Sequence, residues 1–208
     1  MEKTPYYCTE LDRSSKEIYP EAYKNIVEIL NDSLLQDEIN AGNITLAMIR
    51  PNVGPDANNL HLSDLAAAEK IEEMIQGLGV VAKFSFYFTK DTVEEFYEGG
   101  PQENMLKESP IDRDQFDTRW PEFVNFMCSA PTTAILLHSP NGDAIEKWRN
   151  HLGHWNIDEV RDETTIRGKL GVNKYNNLVH GSDAPESVSR ELVIISNCIQ
   201  DTSNEQKA

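Results

Sequence analysis

His180 has the sequence setting in this chain that most directly suggests chemistry. An apolar pair at 178–179 precedes it and predicts a short strand. Ser182 or Asp183 is suited to cap a helix that begins near Pro185. A helix N-terminus attracts anions, and a neutral imidazole beside it can act as a nucleophile toward phosphorus. The alternative for a single histidine is a structural role, as a capping or buried hydrogen-bonding group.

Two stretches without any acidic residue lie on either side of the chain's centre. Residues 166–182 contain Arg167 and two lysines, and residues 39–55 contain Arg50. The whole chain carries 35 Asp and Glu against 19 Lys and Arg, so acid-free stretches with cations stand out. Such clusters favour a pocket for a compact anion such as a phosphate chain. The alternative is that the charges are distributed by chance.

The overall charge excludes some classes of partner. The chain has 208 residues and a formal net charge of −16. Nucleic acids are bound mainly through Lys and Arg, so a surface this acidic predicts no nucleic-acid partner. The same charge opposes docking on anionic membranes, and no apolar run approaches the roughly 20 residues that cross a bilayer. These features predict a soluble, cytoplasmic protein.

The cysteines and histidines do not form a metal or disulfide pattern. Cys8, Cys128 and Cys198 are far apart and odd in number, which is typical of a reducing compartment. His151 and His154 have helical spacing but no matching Cys or acid partner. We therefore expect no metal ion held by side chains of this chain.

Hydrophobic periodicity predicts an α/β sandwich with helices on one face of a sheet. Alternation in the second predicted strand, between inward Phe84 and Phe86 and outward Lys83 and Ser85, is typical of a half-buried strand. The final helix follows His180. The predicted strands are 45–49, 82–88 and 133–137, and the predicted helices are 63–78, 92–97, 120–128 and 143–152.

The ends of the chain differ from its centre. Residues 1–42 are predicted to be an extension with one amphipathic helix, which covers either a partner surface or its own domain. Residues 100–118 are predicted to be a polar surface insertion, and residues 201–208 a polar tail. The apolar positions of the N-terminal helix are Tyr19, Ala22, Tyr23, Ile26, Ile29, Leu30 and Leu34.

The string Asn177-x-x-His180-Gly-Ser-Asp183 resembles the signature of nucleoside diphosphate kinases. The resemblance extends from Thr45 to Glu191, and its motifs keep the order of the family. The further matching segments are Arg50-Pro51, Phe96-Tyr97, Trp120-Pro121, Arg149 with Gly153, the Thr-Ile-Arg-Gly at 165–168, and Glu191 eleven residues after the histidine.

The resemblance implies a ferredoxin-like βαββαβ fold with a four-stranded antiparallel sheet for a domain at 43–200. It also implies a ping-pong reaction in which His180 takes the γ-phosphate of ATP or another NTP and returns it to an NDP. On the same analogy Glu191 holds the imidazole and Asn177 contacts the sugar. Arg50, Arg149 and Arg167 bind phosphates, Tyr97 lies beside them, Trp120 stacks on the base, and Mg²⁺ is carried by the nucleotide.

Three departures from the family pattern keep a second hypothesis open. Arg50 stands where the family has a lysine, 154–156 replace a segment containing a threonine, and the insertion lies beside the predicted nucleotide cleft. The run 147–149, Lys-Trp-Arg, resembles a divergent branch with ciliary and thioredoxin-fused members. The alternative is therefore a weakly active or inactive nucleotide-binding module in a larger assembly, such as a ciliary axoneme. We expect either a homo-oligomer or a subunit that docks through the N-terminal helix.

Overall fold

The architecture is that of a four-stranded antiparallel sheet with helices packed on it. A computed structural model of the chain describes residues 26–51, 71, 73–97, 113–174 and 176–205. The strands are β1 (Ile44–Ile49), β2 (Gly79–Phe86), β3 (Thr132–His138) and β4 (Val179–Gly181). They lie in the order β2-β3-β1-β4, and each neighbouring pair is antiparallel. This arrangement confirms the predicted ferredoxin-like class.

The helices of the described ranges connect and cover these strands. They are α1 (Ile26–Asn31), α2 (Ser33–Asn40), α3 (Lys90–Tyr97), α4 (Arg113–Met127), α5 (Ala144–Leu152), α6 (Ile166–Leu170) and α7 (Pro185–Glu205). Ile71, Glu73 and Met74 are also helical and lie in the segment predicted as a helix between β1 and β2. None of the helices in these ranges combines the length and apolar character needed to cross a membrane.

Both faces of the sheet are covered, so the prediction of helices on one face is wrong. One apolar cluster joins the sheet to α1, α2, α3, α4 and α7, and a second joins its other face to α5, α6 and Ile71. Lys83 of β2 is only 3% exposed for this reason. Period-two alternation indicates which side chains share a face, but it cannot show that polar positions will also be covered.

The N-terminal segment forms two helices rather than the single predicted one. The carboxylate of Asp32 accepts hydrogen bonds from the backbone N–H groups of Leu34 (2.9 Å) and Leu35 (3.2 Å) and caps α2. Because the helix is interrupted at Asp32, the residues of α2 do not continue the helical phase of α1. Leu34, which was predicted to point inward, is 49% exposed, and Leu35 is fully buried. Both helices pack against α7, so this part of the extension covers its own domain. The predicted positions at 19–23 lie outside the described residues.

Several other boundaries differ from the predictions. Helix α4 begins at Arg113, so residues 113–118 are helical rather than part of a surface insertion. Gly79, expected to end a helix, opens β2. Helix α6 was not predicted, and α7 continues through 201–205 of the predicted tail. The predicted loop at 52–59 and the insertion at 100–112 lie outside the described residues.

The neighbouring residues Leu34 and Leu35 provide a test of the two-helix arrangement. Leu35→Ala should lower the free energy of unfolding by about 2–5 kcal/mol, because it removes a buried side chain from the main core. Leu34→Ala should change it by less than about 0.5 kcal/mol, since that side chain is half exposed. Urea denaturation monitored by circular dichroism measures both. A larger loss for Leu34→Ala would favour the single predicted helix.

Candidate active site

His180 lies at the centre of β4, the short edge strand of the sheet. It pairs with Met48 of β1, and its ring is surrounded by aromatic rings from α3. The ring centroids of Phe96 and Tyr97 lie 5.2 Å and 5.9 Å from that of the imidazole, both in edge-on geometry. The side chain of His180 is 17% exposed. The imidazole is therefore confined by two aromatic rings but remains partly accessible to solvent.

A buried carboxylate fixes the orientation of this ring. Nε2 of His180 lies 3.1 Å from Oε1 of Glu191, and Ser182 Oγ donates to Oε2 of the same carboxylate at 2.6 Å. Glu191 is 3% exposed and projects from α7. Because a carboxylate only accepts hydrogen bonds, the imidazole hydrogen resides on Nε2. The lone pair of the neutral ring is then at Nδ1, which is the nitrogen that can act as a nucleophile.

The backbone leading into β4 has an unusual conformation. Leu178 has a φ of 70°, in the left-handed region that residues with a side chain seldom adopt. Its carbonyl accepts from the Arg50 N–H at 2.8 Å, and Val179 N–H donates to the Asn177 carbonyl at 2.9 Å. Such strain persists only where surrounding contacts hold it, and it clusters at functional sites.

Arg50 follows β1 and is held by neutral partners. Its Nε donates to the Tyr97 hydroxyl at 3.3 Å, and its Nη1 donates to Oδ1 of Asn177 at 2.6 Å. The guanidinium carbon lies 5.5 Å from the ring centroid of Phe123 and 5.6 Å from that of Tyr97, within cation–π range. Arg50 is 8% exposed, so its charge is partly desolvated without being neutralised by these partners.

Asn177 links Arg50 to the loop at 154–156. Its Nδ2 donates to the carbonyls of Trp155 (3.0 Å) and Lys174 (3.2 Å), while Oδ1 accepts from Arg50. Both amide hydrogens are thus engaged within the chain. The side chain is 3% exposed. In this geometry Asn177 holds Arg50 in place, and the contact with the sugar that the resemblance implies stays a prediction.

Arg167 connects α6 to the outer edge of β4. It donates to the Val179 carbonyl from Nη2 (3.0 Å) and to the Gly153 carbonyl from Nη1 (3.1 Å). Burial, assisted by the charges of Arg50 and Arg149, lowers the pKa of Arg167 to about 9. The guanidinium is still charged at neutral pH. A bound anion would relieve this unfavourable charge, so the site favours one.

Arg149 and Asp183 lie nearer the surface than Arg167 and His180, and they interact electrostatically with them. Arg149 is exposed on α5, and its charge acts on both Arg167 and Asp183. The pKa of Asp183 is lowered, chiefly because its carboxylate accepts from Ser187 Oγ at 2.7 Å, and also by Arg149 and His180. Asp183 therefore stays ionised at neutral pH.

Among the ring contacts of the described residues, Trp120 does not touch His180 directly but is connected to Tyr97 through Phe123. Its ring is 5.6 Å from that of Phe123, which in turn lies 5.1 Å from the ring of Tyr97. Trp120 is 8% exposed, and its predicted stacking on a base stays a prediction. Burial raises the pKa of the Tyr97 hydroxyl, so this phenol remains neutral.

Two hydrogen bonds around His180 were not predicted from the sequence, one to its carboxylate partner Glu191 and one to its own carbonyl. Ser182 or Asp183 was expected to cap the last helix; the hydroxyl of Ser182 donates to Glu191. Trp148 is fully buried, and its Nε1 donates to the His180 carbonyl at 3.2 Å. The Gly-Ser-Asp sequence and the Trp-Arg pair mark both positions, but only the fold reveals which partners they meet.

Comparison with known proteins identifies the family. The sequence profile of the nucleoside diphosphate kinases matches residues 43–197. A nucleoside diphosphate kinase of Nitratidesulfovibrio vulgaris is 33% identical over 150 residues, which are 71% of this chain and 92% of that protein. One from Corynebacterium diphtheriae is 45% identical over 75 residues, which span 35% of this chain and 52% of that protein.

Solved structures agree with the sequence comparison. A crystal structure of the Aquifex aeolicus nucleoside diphosphate kinase superposes with a TM-score of 0.52 at 29% identity, covering 74% of this chain and 94% of that one. The apo enzyme from Encephalitozoon cuniculi gives a TM-score of 0.51 at 26% identity, covering 73% and 87%. On its matched domain and its fold, this chain belongs to the nucleoside diphosphate kinase family.

Proposed function

We propose that this chain moves the γ-phosphoryl group of an NTP to an NDP through a phosphohistidine on His180. The observation that carries the proposal is the bond between Nε2 of His180 and the buried Glu191 carboxylate. That bond leaves the lone pair at Nδ1, on a ring bordered by the elements that carry Arg50, Arg149 and Arg167. A nucleophile and a group of cations together suit phosphoryl transfer, which depends mainly on positioning and charge.

The first half-reaction forms one bond and breaks another. Nδ1 of His180 attacks the γ-phosphorus, the bond to the β–γ bridging oxygen breaks, and that oxygen leaves on the NDP. The ring becomes an imidazolium carrying the phosphoryl group, and Glu191 stabilises its positive charge through Nε2. A terminal oxygen of a second NDP then attacks the phosphorus and takes the group away, which restores the neutral imidazole.

The arginines neutralise the phosphate oxygens in both directions. Arg50 and Arg167 are each held by hydrogen bonds to neutral groups, which leaves their charges available to an anion. In the described part of the chain, no group of three His, Cys, Asp or Glu side chains is placed to hold a metal ion. Mg²⁺ carried on the phosphate oxygens of the nucleotide would supply further charge neutralisation.

Phosphorylation by γ-labelled ATP with Mg²⁺ tests the proposal. Wild type should acquire a label that is stable to base and labile to acid, and added NDP should remove it. His180→Ala should acquire none, because the attacking nitrogen is gone. Equal labelling of both proteins would place the phosphoryl group on another residue and would contradict the proposal.

The second hypothesis, a nucleotide-binding module without turnover, has support from Asn177 and Arg50. Both amide hydrogens of Asn177 are engaged within the chain, and Arg50 replaces the lysine of the family pattern. Such a module would bind ATP, as measured by equilibrium dialysis, but would not acquire the labelled phosphate. The same labelling experiment therefore separates the two hypotheses.

Glu191→Gln should lower the rate of transfer by about 10- to 100-fold, by analogy with the carboxylates that orient metal-binding histidines. The amide can donate to Nε2, which would move the imidazole hydrogen to Nδ1 and remove the nucleophilic lone pair. Glu186→Gln, a matched change in the first turn of α7, should leave the rate within about twofold. Coupled-enzyme assays of kcat measure both. An unchanged rate for Glu191→Gln would exclude its orienting role.

Arg149→Gln should raise the KM for ATP by about tenfold or more, because it removes a charge-assisted contact to phosphate. Lys147→Gln removes the same charge from the same helix, at a residue already paired with Asp143 at 3.1 Å. That control should change KM little. Equal effects of the two variants would show that Arg149 contributes only to the general field of α5.

A further inference from the structure

Trp148 contacts the main chain of the proposed nucleophile from behind. It is fully buried on α5, and its Nε1 donates to the His180 carbonyl at 3.2 Å. Trp148 belongs to the apolar cluster on the α5 face together with Val179, while Phe96 and Met48 belong to the cluster on the other face, toward which the imidazole projects. The indole and the imidazole therefore lie on opposite faces of one strand.

Gly181 allows this approach. A Cβ at that position would overlap Nε1 and Cδ1 of Trp148 and would also crowd Leu152 Cδ1. The indole thus lies directly against the backbone of β4, at the residue after His180. A side chain at position 181 would push Trp148 and the strand apart.

Strand β4 is a short strand at the edge of the sheet. It is three residues long, it pairs with β1 alone at the edge of the sheet, and it follows the strained Leu178. On its outer edge Arg167 donates to the Val179 carbonyl. The indole of Trp148 donates to the backbone carbonyl of His180 itself.

The same helix carries a phosphate-binding candidate. Arg149 directly follows Trp148, and its charge acts on Arg167 and Asp183 around His180. We propose that Trp148 is a positioning residue: its indole N–H and its close packing on Gly181 set the position of His180 relative to Arg149. This inference rests on the proposed phosphohistidine function and extends it to a residue that touches no reacting atom.

Rapid-quench labelling with saturating γ-labelled ATP tests this role in the full chain. The rate constant of His180 phosphorylation reports positioning, whereas the amplitude reports the fraction of folded protein. Trp148→Phe keeps an aromatic ring but loses the N–H donor, so its rate constant should fall about fivefold, the worth of one hydrogen bond. Its KM for ATP should change less than the rate constant, since the arginines remain.

Leu152→Val is the matched control. Leu152 lies on the same helix, is 2% exposed and also packs against Gly181, but has no hydrogen-bond donor. It should lower the amplitude or the thermal midpoint without changing the rate constant. A Trp148→Phe rate constant within twofold of wild type, or an equal fall for Leu152→Val, would overturn the inference and leave Trp148 a packing residue.

A second measurement does not depend on turnover. Nitrogen-15 NMR of the His180 ring should show shifted Nδ1 and Nε2 resonances in Trp148→Phe and unchanged ones in Leu152→Val. If wild type acquires no label at all, the proposed function fails, and these resonances decide the positioning inference separately. Identical ring resonances in wild type and Trp148→Phe would overturn it.

Discussion

The rest of the site depends on one buried charge, the carboxylate of Glu191. An ionised carboxylate that is 3% exposed is costly unless its lone pairs are used. Here His180 and Ser182 both bond to it, so the carboxylate, the ring and the hydroxyl fix one another. These bonds join α7 to β4, so the position of α7 contributes to the orientation of the histidine.

The cations of the site are stabilised in a different way. Arg50 and Arg167 bond to a phenol, an amide and carbonyl oxygens, although the chain carries a net charge of −16. Pairing with carboxylates would have cancelled their charge and weakened their attraction for phosphate. Neutral acceptors hold the guanidinium groups in place and keep the local field positive. A protein with a large negative net charge can still bind a polyanion, because binding depends on the electrostatic potential at the site and not on the net charge.

The resemblance to the family predicted the four-stranded antiparallel fold, and hydrophobic periodicity predicted most of its elements, because both depend on local patterns. The roles of the site residues stay predictions, although Tyr97 and Glu191 do lie beside His180. The sequence did not predict how Asn177 is used, since its partners Trp155 and Lys174 are brought to it by loops. Nor did it predict the break at Asp32: an aspartate on an amphipathic pattern is compatible with a helix surface or with a cap, and packing on α7 decides between them. The burial of Lys83 likewise depends on which elements cover the second face.

Helices α1 and α2 extend the folded core of this chain beyond the region that matches its family. The family profile begins at residue 43, but Ile26, Ile29, Leu35 and Ile39 share a core with Leu192 and Ile195 of α7. A fragment trimmed to the profile would expose that stripe of α7, on the helix that carries Glu191, to water. We therefore expect the minimal folding unit of this chain to be larger than the region that matches the family, so a domain exchange with a relative would have to include α1 and α2.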